Sequence, residues 1–121
     1  MKQAASLPGR HGEDLACVHL ERVGIQVLER NYRCRGGEID IVAKDADVVV
    51  FVEVRERSDS SHGAAVETVT KEKRRKLVRA ARLYAATHGL SESPLRFDVV
   101  SIDGDPSGPR IRHDKDAFGD V

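Results

Sequence analysis

The stretch Val48-Val49-Val50-Phe51-Val52-Glu53-Val54 is apolar at every position except one. β-Branched and aromatic residues in an unbroken run describe a strand covered on both faces, hence a central strand with packed layers on either side. That strand also carries Glu53 into a place where a carboxylate is costly unless something compensates it. The chain has 121 residues, enough for one such core and not for two.

The neighbouring segments supply the rest of an α/β domain. Glu38 to Ala43 pairs with Val48 to Arg55 as an antiparallel hairpin, joined by the polar connection Lys44-Asp45-Ala46-Asp47. Ile25 to Arg30 alternates and leads through Asn31-Tyr32-Arg33 to a basic turn at Arg35-Gly36-Gly37, giving an earlier strand. Residues 10 to 23 place Glu13, Ala16, Cys17, Leu20 and Val23 at helical spacing before Gly24. A Ser/Gly-rich loop from Ser58 to Ala64 precedes a long helix from Thr70 to Gly89. Thr70 is its N-cap, Gly89 its stop, and Leu77, Ala80, Ala81 and Tyr84 its core face. Arg96 to Ile102 is a further strand, so the expected order is α-β-β-β-α-β around a mixed sheet, in a domain of residues 1–102. Residues 103–121 bring five aspartates against Arg110, Arg112 and Lys115 among prolines and glycines, which reads as a loose polar tail with an edge strand near Arg110 to Arg112.

The longest unbroken apolar run, Val48 to Val52, is far short of the roughly 18 residues of a spanning helix, and residues 1–9 hold no apolar signal-peptide centre, so a cytoplasmic protein is expected. Cys17 and Cys34 have neither CxxC nor Cys/His ligand spacing and read as ordinary thiols.

Strand alternation places Asp40 with Glu38 and Val42, and Glu53 with Phe51 and Arg55. A hairpin loop of two or four residues sets even positions of the first strand against odd positions of the second, so Asp40 and Glu53 share a face. Two carboxylates crowded together call for a proton, a basic side chain or a cation, and Mg²⁺ or Mn²⁺ takes one or two carboxylates while keeping waters. The alternatives are structural: Asp40 capping a turn or pairing with Arg33, Glu53 pairing with Arg55 or a helix lysine, Glu13 favoured by its helix dipole. Lys73 lies on the stripe facing the sheet, and reaching inward or snorkelling outward are both open to it. Lys+Arg and Asp+Glu balance at 20 each, yet Lys71 to Arg82 carries seven bases against Glu72 alone, and Arg30, Arg33 and Arg35 form a second knot. Phosphate contact by Arg33, Arg35, Lys71, Arg74, Arg75 and Arg79 is the natural use of that excess.

Taken together, Gly9-Arg10-His11-Gly12-Glu13, Arg30-Asn31-Tyr32-Arg33, Gly36-Gly37-Glu38-Ile39-Asp40, Val50-Phe51-Val52-Glu53-Val54-Arg55 and Arg96-Phe97-Asp98-Val99-Val100 resemble the YraN-type family of uncharacterised bacterial proteins. That family is similar to the restriction-endonuclease-like PD-(D/E)XK superfamily, and within it to archaeal Holliday junction resolvases. The resemblance implies a restriction-endonuclease-like fold and a metal-dependent, structure-selective deoxyribonuclease. Asp40, Glu53 and the Val54 carbonyl would bind Mg²⁺ or Mn²⁺, and Glu13 would hold a water. Arg55 stands where the superfamily usually has lysine, and arginine cannot give up a proton at any relevant pH. Lys73 is then the candidate ammonium. By the same analogy a homodimer acting on DNA is expected. A non-catalytic nucleic-acid-binding module is the competing reading, and a protein-binding adaptor a third.

Overall fold

A computed structural model describes residues 11–57, 69–104 and 108–119. Helix α1 (His11–Arg22) is followed by strands β1 (Gln26–Cys34), β2 (Gly37–Asp45) and β3 (Val48–Arg57), helix α2 (Lys71–Thr87), and strands β4 (Leu95–Asp103) and β5 (Arg110–Asp114). The five strands form one sheet in the order β1-β2-β3-β4-β5. Only β3 and β4 run parallel, and the other neighbours are antiparallel. This is the expected α-β-β-β-α-β mixed-sheet architecture.

β3 is central, as its sequence demands. Val50 and Val52 pack with Ala16 and Leu20 of α1, while Val49 and Phe51 pack with Leu77, Ala80, Ala81 and Tyr84 of α2. All four residues expected on the core face of α2 are buried. Thr70 caps that helix, its Oγ1 accepting from the Lys73 amide at 3.1 Å, and Gly89 follows the C-terminal end with φ +69°. Of the α1 stripe, Ala16 and Leu20 are buried, whereas Val23 is exposed beyond the helix end. The expected start of α1 at residue 10, the Gly9-Arg10 part of the first motif and the Ser58 to Ala64 loop lie outside the described residues.

Two boundaries differ from expectation. The β2–β3 turn has two residues rather than four, because Asp45 pairs with Val48. Ala46 accordingly adopts φ +56°, which an L-residue tolerates poorly. β1 runs on to Cys34 past a register shift between Val27 and Glu29. The polar run Arg30-Asn31-Tyr32-Arg33, with Asn31 at φ +54°, breaks the alternation after Arg30, which is why only the first part is legible as a strand.

The larger correction concerns the C-terminal residues. Within the described part, the edge strand expected near Arg110 to Arg112 is present as β5, paired with β4, but residues 110–119 are not a loose tail: Phe118 is buried against Phe97, and the Ala117 amide donates to the Phe97 carbonyl at 2.7 Å. The anchor is Asp98, fully buried in the middle of β4. Arg96 grips its carboxylate with Nε at 2.9 Å and Nη2 at 3.1 Å, while Nη1 reaches Asp45 at 3.0 Å. The Asp116 amide donates at 3.0 Å and His113 Nε2 lies at 2.8 Å. An ionised carboxylate only accepts, so His113 Nε2 carries the proton, and a neutral His113 offers Nδ1 to His19 Nε2 of α1 at 3.0 Å. Burial by itself would raise the Asp98 carboxyl. The bonds from His113, Arg96 and Asp116 outweigh it and hold the group below its ordinary range.

A depressed acid contributes stability above its unfolded pKa and loses it as pH falls through the folded one. His19, pushed below 6.5 by burial and then by His113, costs stability as pH falls below that value. Asp98→Asn is therefore expected to destabilise by about 3 kcal/mol, since it strands Arg96 in a buried network. Chemical denaturation at pH 7 checks this; a change under 1 kcal/mol would contradict it.

Candidate active site

The β2–β3 ladder extends from the turn to Ile41 opposite Val52. The next positions in that register are Asp40 and Glu53, so the even-numbered turn does bring the two acids to one place. There Asp40 Oδ2 accepts the Val54 amide at 2.8 Å. Val54 thus meets the site through its N–H; the resemblance had implicated its carbonyl.

Glu53 is 5% exposed and is the more enclosed of the two carboxylates. Its Oε2 receives Lys73 Nζ at 2.7 Å and faces Arg55 Nε at 3.7 Å. Of the two outcomes open to Lys73, the inward one is realised, with the side chain still 40% exposed. Among the described residues no such ion pair to Asp40 is seen. Burial, followed by the charge of Glu53 and then that of Glu13, pushes its carboxyl up to about 7 against the opposing pull of the Val54 amide, and it shares a hydrogen bond with Glu53.

Glu13 and Lys73 are each the third residue of their helix. The first turns of α1 and α2, with the positive ends of their dipoles, therefore sit beside the acids. Glu13 lies 3.5 Å from Arg30 Nη2, which is held chiefly by Asp14 at 2.8 Å. The Oε1 of Glu13 is buried and makes no hydrogen bond among the described residues. Arg30 and Asp14 were not singled out for the site; the clue to Arg30 was its place in the Arg30-Asn31-Tyr32-Arg33 motif. Within that motif Asn31 takes φ +54°, in the same β1–β2 register opposite Asp40, so the strand is irregular where it passes the site.

The bases expected to contact phosphate divide. Arg33 and Arg79 line a groove beside the β1–β2 turn, and Arg75 lines an adjoining hollow with Arg79. Arg35 lies exposed in that turn and Lys71 exposed at the start of α2. Arg74 turns away: its Nε donates to the Val69 carbonyl at 2.9 Å and its guanidinium lies over Phe118 at 5.5 Å. Arg33 pairs with Glu38 at 3.7 Å, not with Asp40.

Among the described residues no group of three or more His, Cys, Asp or Glu side chains is arranged to hold a metal ion. The donor set on hand is the Asp40–Glu53 pair. Its carboxylate oxygens are the donor type a hard divalent cation takes, on adjacent strands at the end of the β2–β3 ladder.

A family model described as "Uncharacterised protein family UPF0102" matches residues 12–102. Similar proteins include a UPF0102 protein of Herminiimonas arsenicoxydans, 44% identical over 84% of this chain and 82% of the relative. A UPF0102 protein of Aeromonas hydrophila is 47% identical over 84% and 80%. One of Geobacter sulfurreducens is 43% identical over 91% and 87%.

An acid raised in the folded state makes stability fall as pH climbs from about 4 to about 7, because the native state then binds the extra proton. Asp40→Asn keeps an acceptor for the Val54 amide and removes the charge. It is expected to stabilise the metal-free protein at pH 8 by on the order of 2 kcal/mol, with little effect at pH 4.5. Equal effects at both pH values would contradict the crowding of these carboxylates.

Proposed function

This chain belongs to the uncharacterised protein family UPF0102, and we propose that it is a divalent-metal-dependent endonuclease acting on DNA, on a restriction-endonuclease-like scaffold. The observation that carries the reading is the Asp40–Glu53 pair where the β2–β3 ladder ends, flanked by Lys73 at 2.7 Å and Arg55 at 3.7 Å from Glu53. A structural ion pair alone would not need the second carboxylate.

Asp40 and Glu53 would hold Mg²⁺ or Mn²⁺, which when bound supplies Lewis acidity and a water of lowered pKa. The remaining roles fall to the chain itself. Asp40 must release its proton before it can serve as a ligand. Glu13 Oε1, buried and without a hydrogen bond among the described residues, would accept one from the attacking water and fix its orientation. Arg55 cannot act as a base, and its guanidinium stabilises charge gathering on the phosphate oxygens. Lys73, joined to Glu53 at 2.7 Å, provides a compact ammonium from the helix in place of one from the strand. The adjoining cationic surface of α2 suits a polyanionic substrate.

Arg55 at the lysine position favours a second reading, a nucleic-acid-binding module without turnover. The two readings separate on incubation of the pure chain with branched, flapped and single-stranded DNA in Mn²⁺. Cleavage is expected to vanish in Asp40→Ala and in chelator, and to fall about 100-fold in Lys73→Ala, while Arg55→Lys retains activity. Absence of any cleavage that depends on Asp40, alongside DNA affinity unchanged by that substitution, would overturn the enzyme in favour of the module.

A further inference from the structure

We infer that the groove between the β1–β2 turn and α2 is a binding site for the phosphodiester backbone of one nucleic-acid strand, engaging three or so consecutive phosphates without reading bases. The inference shares the nucleic-acid ligand of the proposed function and needs none of its chemistry.

The groove, of about 570 Å³, is lined by Arg33, Gly36, Gly37, Glu38, Lys76 and Arg79. It is open because the turn carries no side chain at two successive positions. A Cβ on Gly37 would lie 3.0 Å from the Lys76 carbonyl and 3.2 Å from the Ala80 Cβ, so the turn can press against α2 only as glycine. Gly36, at φ +91°, leaves room for Arg79, whose Nη1 would stand 3.6 Å from a side chain there. Among the described residues three cationic side chains thus share the groove with one carboxylate, Glu38, half exposed and 3.7 Å from Arg33, while Lys76 also stands 3.8 Å from Glu72 outside it. Arg79 also lines an adjoining hollow of about 250 Å³ with Arg75 and Arg82, so the positive surface continues along the helix.

Spacing fixes the ligand class. Lys73, Lys76 and Arg79 recur every three residues, a ridge that winds obliquely over α2 and climbs about 9 Å along its axis. Each strand of a duplex presents one charge per roughly 3.4 Å of helix axis, and an extended single strand fewer. At most about three phosphates therefore match the ridge, and its lower end is Lys73 at the acid pair. Among the described residues no aromatic side chain lines the groove to stack on a base, and its exposed basic side chains are of the kind that position a backbone rather than specify a sequence.

The test measures affinity for two unrelated single-stranded 12-mers by fluorescence anisotropy, in EDTA, across a salt series. The wild-type chain is expected to bind both within threefold. Arg33→Gln/Lys76→Gln/Arg79→Gln is expected to reduce the slope of log K against log salt by about 2, three contacts at about 0.7 each. Lys44→Gln/Lys115→Gln, away from the groove, should leave it unchanged, and circular dichroism confirms that both variants fold. Should the triple variant lose its fold, Arg79→Gln alone is expected to reduce the slope by about 0.7. An unchanged slope in the folded groove variants, affinities differing more than tenfold between sequences, or no binding by the wild type would overturn the inference. Binding as expected without cleavage would defeat the nuclease and leave the groove standing; Asp40-dependent cleavage with an unchanged slope would do the reverse.

Discussion

The chain sets two carboxylates side by side where the β2–β3 ladder ends, and nearly every feature around them answers that repulsion. Lys73 and Arg55 face Glu53, the Val54 amide faces Asp40, and the positive ends of two helices are brought to the same spot. The compensation is incomplete. Burial and then the charge of Glu53 push the Asp40 carboxyl up to about 7, and no ion pair to it is seen among the described residues. A site built for structure alone would have replaced one acid with an apolar residue at little cost.

Asp98 shows what full compensation looks like in the same molecule. It is more deeply buried than Asp40, yet Arg96, His113 and the Asp116 amide hold its carboxyl below the ordinary range. The two acids thus drive stability in opposite directions with pH. Asp98 ties β4 to β5 and, through His113 and His19, to α1. Asp40 holds nothing together that an amide could not. That contrast separates a scaffold carboxylate from one kept for another purpose.

Much of the fold was legible because β3 and α2 are strongly patterned. A run of valines with Phe51 demands two covering layers, and Leu77, Ala80, Ala81 and Tyr84 recur at helical spacing. Strand parity and an even turn were enough to join Asp40 to Glu53, even though the turn proved shorter than its polar residues suggest. Of the C-terminal residues the edge strand near Arg110 to Arg112 was legible, but their docking was not, because Phe118 is a lone aromatic among aspartates and glycines. Its burial depends on a partner, Phe97, that only tertiary structure supplies. Asp98 could have been found by the reasoning that found Glu53, as an acid inside an apolar strand. Arg74 could not be told from its basic neighbours, since helical spacing does not reveal that Phe118 waits beneath it.

The central claim is that Asp40 and Glu53 are kept together to hold a divalent cation. Diffraction from crystals of the full chain soaked in Mn²⁺, recorded near the manganese absorption edge, tests it most directly. An anomalous peak within bonding distance of both carboxylates, with Lys73 drawn back from Glu53, is the predicted result. Crystals at the same Mn²⁺ concentration with no peak there and the Lys73–Glu53 pair intact would contradict it.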